Sequence, residues 1–269
     1  MKKSDLTKLP FYQVDAFASQ PFAGNPAGVC PLTHWLDDSV LQSIASENNL
    51  SETAFFVSTT EGYHLRWFTP AVEVDLCGHA TLAAAWVLFN KLNYSENVIH
   101  FSTRSGILSV SKEADEYCMD FPAKKALPID EPEGLLAALG LAGNVEGFWL
   151  SDDIIVLVKD KSCLENLNPD FNKLAVFKTR GVIVTAPGGG EFDFVSRWFG
   201  PQVGVNEDPV TGSAHTFLAP FWAERSGKNE LLAQQGGSRK GTLRCCVRND
   251  GRVALYGSAR LMIEGTFIL

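Results

Sequence analysis

Apolar and polar residues along the chain follow patterns that predict helices and strands. Residues 38–48 carry their apolar side chains on one face, which predicts an amphipathic helix capped by Asp37 or Asp38. Residues 78–92 are apolar on nearly every side, which predicts a helix buried all round, and residues 212–225 are predicted to form the corresponding helix of the second half. Predicted strands cover residues 11–17, 28–30, 53–57, 65–68, 107–110, 154–158, 181–185, 192–196, 242–247, 252–256 and 261–268.

One long pattern occurs twice. Residues 66–70 read RWFTP and residues 197–201 read RWFGP, 131 residues further on. Each copy continues through a valine-containing linker to a glycine turn, CGHAT at 77–81 and TGSAH at 211–215, and then into one of the apolar helices. The ordered match of several features favours internal duplication over coincidence.

A duplicated chain of this kind predicts an α/β fold of the α+β type. We expect two pseudo-symmetric domains, each a curved mixed sheet rolled around one buried helix. The boundary is predicted at Phe121-Pro122-Ala123, where a polar, Pro-rich stretch begins, giving domains 1–121 and 122–269. The repeated glycine turns are expected to line the cleft between the domains, because such clefts are common ligand sites.

Composition and charge exclude several classes of protein. With 45% hydrophobic residues among 269, the chain has enough apolar material for a folded core. It carries 23 basic and 31 acidic residues, a net charge of −8, and no Lys/Arg run longer than two. A nucleic-acid partner is therefore not expected.

The cysteines and the N-terminus point to the cytoplasm. The six cysteines show no repeated CxxC spacing, so we interpret them as reduced thiols. The charged residues 1–5 are not followed by an apolar segment of signal-peptide length. The longest apolar stretch, residues 80–89, falls well short of the roughly 20 residues that span a bilayer. No membrane association is expected.

The two glycine turns each place small residues at the start of a buried helix. Free peptide N–H groups and the helix dipole at such a position attract a carboxylate. Gly78 and Gly212 also allow a ligand to approach closely, since they lack a Cβ. A single turn of this kind is more simply explained by ordinary helix capping, but its repetition favours a small carboxylated ligand.

Three titratable residues lie near these turns or near an apolar strand. His79 lies in the first turn of its helix, where the dipole favours the neutral imidazole, and Asp208 shortly precedes the second helix. Glu52 comes directly before an apolar strand, where partial desolvation makes a carboxylate a better general base. The residues alone leave open a capping role for His79 and a solvent-facing role for Glu52. His215 is interpreted as structural.

Other motifs give no support to competing chemistries. Cys77-x-His79 has metal-binding residue types, but no second Cys/His pair at a suitable spacing completes a site, so no metal is expected. The chain contains no GxSxG elbow and no phosphate-binding glycine loop, and the glycines at 188–190 are interpreted as a loop tip.

Taken in order, several motifs resemble the phenazine-biosynthesis PhzF-like isomerase family. They are DAF at 15–17, FAGNPAGV at 22–29, SETAF at 51–55, CGHAT at 77–81 and EDPVTGSAH at 207–215. The resemblance implies the diaminopimelate epimerase-like fold, with residues 261–269 a candidate strand of the first domain. It also implies homodimers and an active site that uses no cofactor.

The resemblance also implies roles for individual residues. Glu52 matches the family's catalytic acid/base, which moves a proton within one carbon skeleton, and His79 and Asp208 match the polar residues beside it. Substrate-binding positions are matched by Asn25, Gly78, Gly212 and Ser213.

Cys77 separates the main hypothesis from its alternatives. Related epimerases use two cysteines, one ahead of each glycine turn, whereas the second turn here is preceded by DPV at 208–210 and carries no thiol. We therefore expect a cofactor-independent isomerase that shifts a proton on a small carboxylic acid through Glu52. The alternatives are an epimerase or racemase using Cys77 with an acidic residue, and a small-acid binding protein without catalysis.

Overall fold

The computed structural model describes residues 7–141 and 143–269 and divides into two compact units. Unit 1 comprises Met1–Asp120 with Gly257–Leu269, and unit 2 comprises Phe121–Tyr256. The N-terminal residues 1–5, which entered the prediction of a cytoplasmic protein, lie outside the described residues. Every helix among the described residues is too short or too polar to cross a membrane.

Strands dominate the chain, and short helices connect them. The strands are β1 (Lys8–Ala16), β2 (Asn25–Leu32), β3 (Glu52–Thr59), β4 (Gly62–Phe68), β5 (Glu73–Val74), β6 (Val98–Thr103), β7 (Gly106–Glu113), β8 (Glu116–Pro122), β9 (Leu127–Ile129), β10 (Val145–Leu150), β11 (Ile154–Val158), β12 (Val182–Gly189), β13 (Phe192–Gly200), β14 (Val205–Asp208), β15 (Glu230–Gln235), β16 (Gly241–Val247), β17 (Arg252–Gly257) and β18 (Ala259–Ile268). The helices are α1 (Asp38–Asn48), α2 (Gly78–Asn90), α3 (Leu135–Leu139), α4 (Lys161–Glu165), α5 (Phe171–Leu174) and α6 (Gly212–Ser226), with a 3₁₀ turn at Pro201–Val203.

Unit 1 is built on a mixed sheet. Strand β18 pairs with β1 and β1 with β2, both antiparallel, so the C-terminal residues of the chain belong to this unit. Parallel pairs β2–β3 and β4–β6 alternate with antiparallel pairs β3–β4, β6–β7 and β7–β8. Each parallel pair needs a long crossover, and α1 and α2 supply the two crossovers.

Unit 2 repeats this order of pairings. Strand β10 pairs antiparallel with β9 and β11, and β11 pairs parallel with β12. The antiparallel pair β12–β13 is followed by the parallel pair β13–β15 and by antiparallel pairs β15–β16 and β16–β17. Helix α6 lies in the crossover from β13 to β15, as α2 does between β4 and β6.

Helix α2 is enclosed by the sheet of unit 1. Nine of its thirteen residues are buried, including Ala80, Leu82 and Leu88, and of the other four only Asn90, at the C-terminal end, is exposed. It contacts β1, β2, β3, β7 and β18, which include strands near both ends of the sheet order. The sheet must therefore bend around the helix. Helix α1 covers the opposite face, where Leu41 and Ile44 pack against Phe55 and Phe68.

Helix α6 is similarly buried in unit 2, with ten of its fifteen residues inaccessible. The outer face of that sheet is covered by α3, α4 and α5, through Leu135, Leu139, Leu164 and Leu174. The sequence patterns did not predict these three helices, because four or five residues are too few to show a helical period.

A bidentate ion pair recurs at the repeated RWF motif. In unit 1 the Arg66 guanidinium donates to both carboxylate oxygens of Glu73, at 2.7 and 2.8 Å. In unit 2 Arg197 does the same to Glu207, again at 2.7 and 2.8 Å. All four side chains are largely buried, a setting in which such planar, charge-assisted pairs fix geometry as well as adding energy.

We expect Gly181→Ala to destabilise the protein by about 1–3 kcal/mol, because an added Cβ would overlap the buried indole of Trp198. That indole also donates to Asp153 at 3.1 Å, so it is poorly placed to move. Gly265→Ala is the matched control, since nothing lies within 4 Å of its Cβ position. Equal urea midpoints for the two variants would contradict the packing argument.

His215 is expected to make the protein less stable in mild acid. Burial lowers the pKa of this imidazole to about 4, against 6.5 for an exposed histidine. Protonation therefore favours the unfolded state, and stability that is full above pH 6.5 is lost as the pH falls toward 4. This single group should lower the free energy of unfolding by about 2 kcal/mol between pH 7 and pH 5.

The comparison variant is His215→Thr, since Thr81 occupies the fourth position after the N-cap of α2 as His215 does in α6. Thr81 donates to the Cys77 carbonyl, and His215 Nδ1 lies 3.0 Å from the Thr211 carbonyl. Urea unfolding at pH 7 and pH 5 measures the difference within each protein, whatever the variant's absolute stability. An unchanged pH difference would rule out His215 as its source.

Candidate active site

The starts of two parallel strands and of helix α2 bring the candidate residues of unit 1 together. Asn25 is the first residue of β2 and Glu52 the first residue of β3, and the parallel register places Ala27 opposite Glu52. Cys77 is the N-cap of α2 and His79 its second residue. Since α2 is packed within the sheet, its first turn is held beside these strand ends.

His79 lies at the centre of this group. Its Nε2 is 3.1 Å from Glu52 Oε2. The other ring nitrogen, Nδ1, is 3.3 Å from Asn25 Nδ2 and 3.5 Å from Cys77 Sγ. His79 is 5% exposed and the Glu52 side chain 15%, so Glu52 is the member of this contact that retains access to solvent.

The contact between Glu52 and His79 is close but is not aligned as a hydrogen bond. Among the described residues, neither Glu52 Oε2 nor His79 Nε2 has a hydrogen-bond partner in good geometry. We therefore describe it as an ion-pair contact, which acts through charge at short range.

The Asn25 amide influences where the imidazole carries its proton. As the amide is placed, Nδ2 donates to His79 Nδ1, so a neutral ring holds its proton on Nε2, toward Glu52. A charged ring also has a proton on Nδ1 and requires the amide carbonyl to face it instead. The orientation of the amide is thus tied to the charge of the ring.

The electrostatics of the cluster favour a charged imidazole. Burial lowers the pKa of His79, but the charges of Cys77 and Glu52 outweigh it, and the pKa lies well above 6.5. Burial, and then the charge of Glu52, raise the pKa of the Cys77 thiol to about 11. Cys77 is therefore neutral at pH 7, and Glu52 is the charge that raises the pKa of His79 under those conditions.

This finding reverses the direction expected from the sequence for His79. The helix dipole alone favours the neutral ring. Because a carboxylate lies 3.1 Å away, its attraction for the imidazolium exceeds the effect of the dipole. The packing of α2 against β3 brings together Glu52 and His79, which are 27 residues apart, so the position of His79 in its helix could not by itself predict the charge of the ring.

The candidate residues of unit 2 surround the N-terminus of α6. Asp208 Oδ2 accepts a 2.6 Å hydrogen bond from Thr211 Oγ1. Gln235 Nε2 donates to the Asp208 carbonyl at 2.9 Å and to Thr211 Oγ1 at 3.0 Å. Gly212 begins the helix and Ser213 follows it. The Asp208 carboxylate is thus fixed by a local network.

Sequence reasoning missed the group that holds Ser213. Arg180 Nη1 donates to Ser213 Oγ at 2.7 Å, and the same guanidinium donates to both oxygens of Asp153, which is fully buried. Burial opposes the charge of Arg180, but the hydrogen bond and charge of Asp153 raise its pKa. The sequence feature that could have revealed this group is Asp153, an acidic residue directly before the wholly apolar strand β11.

Both helices begin without a side-chain cap from their N-cap residues, Cys77 and Thr211. The positive ends of two buried helices are thus not neutralised by those side chains, which suits them to receive an anion. Gly78 and Gly212 are the first residues of α2 and α6, as the sequence pattern predicted.

Metal-ligating atoms also occur in this cluster. The oxygen, sulfur and nitrogen ligand atoms of Glu52, Cys77 and His79 lie within 4.8 Å of one another. The sequence suggested an incomplete Cys/His pair, and the fold adds a carboxylate to it. All six cysteines are free, in keeping with their interpretation as reduced thiols.

Comparison with known proteins identifies the family. Residues 14–265 match the phenazine biosynthesis-like protein family, PhzC-PhzF. The chain is 59% identical to an uncharacterized isomerase of Pseudomonas aeruginosa over 97% of this chain and 100% of that protein. It is 47% identical to an uncharacterized isomerase of Halalkalibacterium halodurans over 97% of this chain and 98% of that one.

Solved structures give the same result for the fold. A crystal structure of a PhzF-family phenazine biosynthesis protein from Enterococcus faecalis superposes with a TM-score of 0.94 at 45% identity, over 98% of this chain and 100% of the other. A hydroxyproline epimerase from Agrobacterium vitis matches with a TM-score of 0.60 at 10% identity, over 97% of this chain and 93% of the other. At so low an identity the match shows a shared fold alone. The chain therefore belongs to the phenazine biosynthesis-like (PhzC-PhzF) protein family, and it is an isomerase of that family.

Proposed function

We propose that the protein shifts a proton within a small carboxylic acid, without a cofactor, and that Glu52 is the acid/base. The observation that carries the proposal is the 3.1 Å contact between Glu52 Oε2 and His79 Nε2 at the uncapped N-terminus of α2. A carboxylate with partial access to solvent, held beside a buried imidazole, can take a proton from a bound carbon acid and return it elsewhere.

His79 and Asn25 support this role. A charged imidazole 3.1 Å from Glu52 holds the carboxylate in place by charge between turnovers. The Asn25 amide can contact Nδ1 whether the ring is charged or neutral. Its carbonyl accepts from Nδ1–H of a charged ring, and its N–H group donates to Nδ1 of a neutral one. In this proposal His79 positions the Glu52 carboxylate, and Asn25 holds the ring in place.

The substrate carboxylate is proposed to bind at helix N-termini. Gly78 opens α2 and Gly212 opens α6, and neither N-cap side chain occupies the peptide N–H groups of the first turn. Ser213 Oγ accepts its hydrogen bond from Arg180, so its own O–H is available to donate to an anion. We include Asp208 among the proposed catalytic residues on the resemblance alone.

We also propose that the two units descend from one duplicated ancestor. The supporting observations are the repeated order of strand pairings, the buried helix in the same crossover, and the bidentate pairs of Arg66 and Arg197. A homodimer and a cytoplasmic location remain predictions from the sequence.

An epimerase or racemase is the second candidate. Cys77 Sγ is 3.5 Å from His79 Nδ1, close enough to pass a proton to the ring, and this observation favours it. Against it stands the buried thiol, whose pKa is raised to about 11, which makes Cys77 a poor base at neutral pH.

Glu52→Gln is expected to abolish proton transfer, because the amide cannot accept and return a proton. The assay incubates the protein in deuterated buffer with a pool of small carboxylic acids, including amino and dihydroaromatic acids, and follows deuterium gain and product formation by mass spectrometry. We expect the signal to fall at least about 100-fold, the contribution typical of a positioned general base.

Glu47→Gln is the matched control, because it makes the same change at an exposed position of α1. It should retain the wild-type signal. Deuterium gain that survives in Glu52→Gln would contradict the proposed base and point to Cys77 or Asp208. An acid that stabilises the wild-type protein thermally, yet is converted by neither protein, would favour binding without catalysis.

Cys77→Ser is expected to leave the proton shift within about tenfold of wild type, since the buried thiol is not the proposed acid/base. The same assay, with chiral analysis of each labelled acid, separates the two candidates. Cys163→Ser, in α4, controls for loss of a thiol elsewhere. Inversion at one labelled carbon, lost in Cys77→Ser alone, would establish the epimerase instead.

A further inference from the structure

Glu52, Cys77 and His79 form a cluster of three different ligand types. A carboxylate oxygen, a thiol sulfur and an imidazole nitrogen lie within 4.8 Å of one another. His79 lies in the first turn of α2, Glu52 begins β3, and Cys77 is the N-cap of α2, so all three lie in or directly beside regular secondary structure. A site on such elements holds its geometry better than one on loops.

The polar atoms of the cluster are incompletely satisfied. His79 is 5% exposed, and neither its Nε2 nor Glu52 Oε2 has an aligned hydrogen-bond partner among the described residues. In their ion-pair contact the two atoms face each other across 3.1 Å, so a group that enters between them from outside gains two ligands at once.

The set of ligand atoms selects the chemistry of that group. Zinc binds thiolate sulfur, imidazole nitrogen and carboxylate oxygen at distances of about 2.0–2.3 Å, and sites with three protein ligands keep a fourth position open. Magnesium and calcium prefer sites made of oxygen ligands, which this cluster does not provide. The mixture of sulfur, nitrogen and oxygen therefore favours a borderline-soft divalent cation.

We infer that Glu52, Cys77 and His79 form a binding site for a divalent cation of the zinc type. Binding requires the Cys77 thiol to release its proton to solvent, because the thiolate is the ligand, and requires an unprotonated nitrogen on His79. The cation takes one lone pair from each of the three side chains and leaves one position for water or an anion.

Such a cation would also inhibit the enzyme. Glu52 cannot accept a proton from a substrate while its oxygen is bound to the metal, so a cation bound at this site would prevent turnover. This second statement rests on the proposed function, whereas cation binding itself does not.

The test titrates the metal-free, full-length protein with Zn²⁺ by calorimetry and with Co²⁺ by absorption spectroscopy. We expect one cation per chain and a near-ultraviolet thiolate-to-cobalt charge-transfer band, which only a sulfur ligand produces. Cys77→Ser should abolish the band, and Cys77→Ser and His79→Gln should each weaken Zn²⁺ binding tenfold or more. Circular dichroism verifies that each variant is folded.

Cys163→Ser and Cys246→Ser are the matched controls, because those two cysteines are partly exposed and lie outside the cluster. Both should keep the band and the affinity. A wild-type protein without the band, or a band lost in Cys246→Ser and kept in Cys77→Ser, would overturn the inference. If Cys77→Ser fails to fold, His79→Gln decides the point, and an unchanged Zn²⁺ affinity in that variant would overturn the inference.

The outcomes separate this inference from the proposed function. A cobalt band in wild type, together with proton transfer that survives in Glu52→Gln, would retain the cation site and reject the acid/base role. Loss of proton transfer in Glu52→Gln, with no cation bound to wild type, would retain the role and reject the site.

Discussion

The burial of helix α2 is the constraint on which the architecture of unit 1 depends. A helix with no polar face is stable only when apolar surface surrounds it, and the mixed sheet supplies that surface on strands near both of its ends. An enclosed helix cannot slide or rotate freely without opening gaps in close-packed surroundings. Its first turn is therefore fixed, and His79 is held where β3 begins.

Much of the fold could be predicted from the sequence because its signals are local or repeated. The apolar lengths of α2 and α6 and the two RWF motifs identify the helices and the repeat without knowledge of contacts. The ion pairs made by those motifs could not be predicted, since Arg66 reaches Glu73 over seven residues and Arg197 reaches Glu207 over ten. The pairs depend on strand geometry, and spacing alone does not reveal it.

The candidate site, too, could be predicted from the sequence only in part. Cys77 and His79 are two residues apart at a helix start, so their proximity follows from the sequence. The contact of His79 with Glu52 depends on the packing of α2 against β3. The position of Glu52 before an apolar strand made it a candidate, and the resemblance to a family gave it the role of acid/base. Arg180 and Asp153 lie 27 residues apart on separate segments, and only the folded chain joins them.

The two Arg–Glu pairs mark what the two units have in common. Each pair braces its own sheet from within, next to the linker that leads to the buried helix, and the two pairs have nearly identical geometry. The first turns of the helices differ chemically, with a thiol and an imidazole at Cys77 and His79 and two hydroxyls at Thr211 and Ser213. Because the side chains of each brace lie outside the first turn of its helix, those turns can differ in chemistry while both sheets keep the same order of strand pairings.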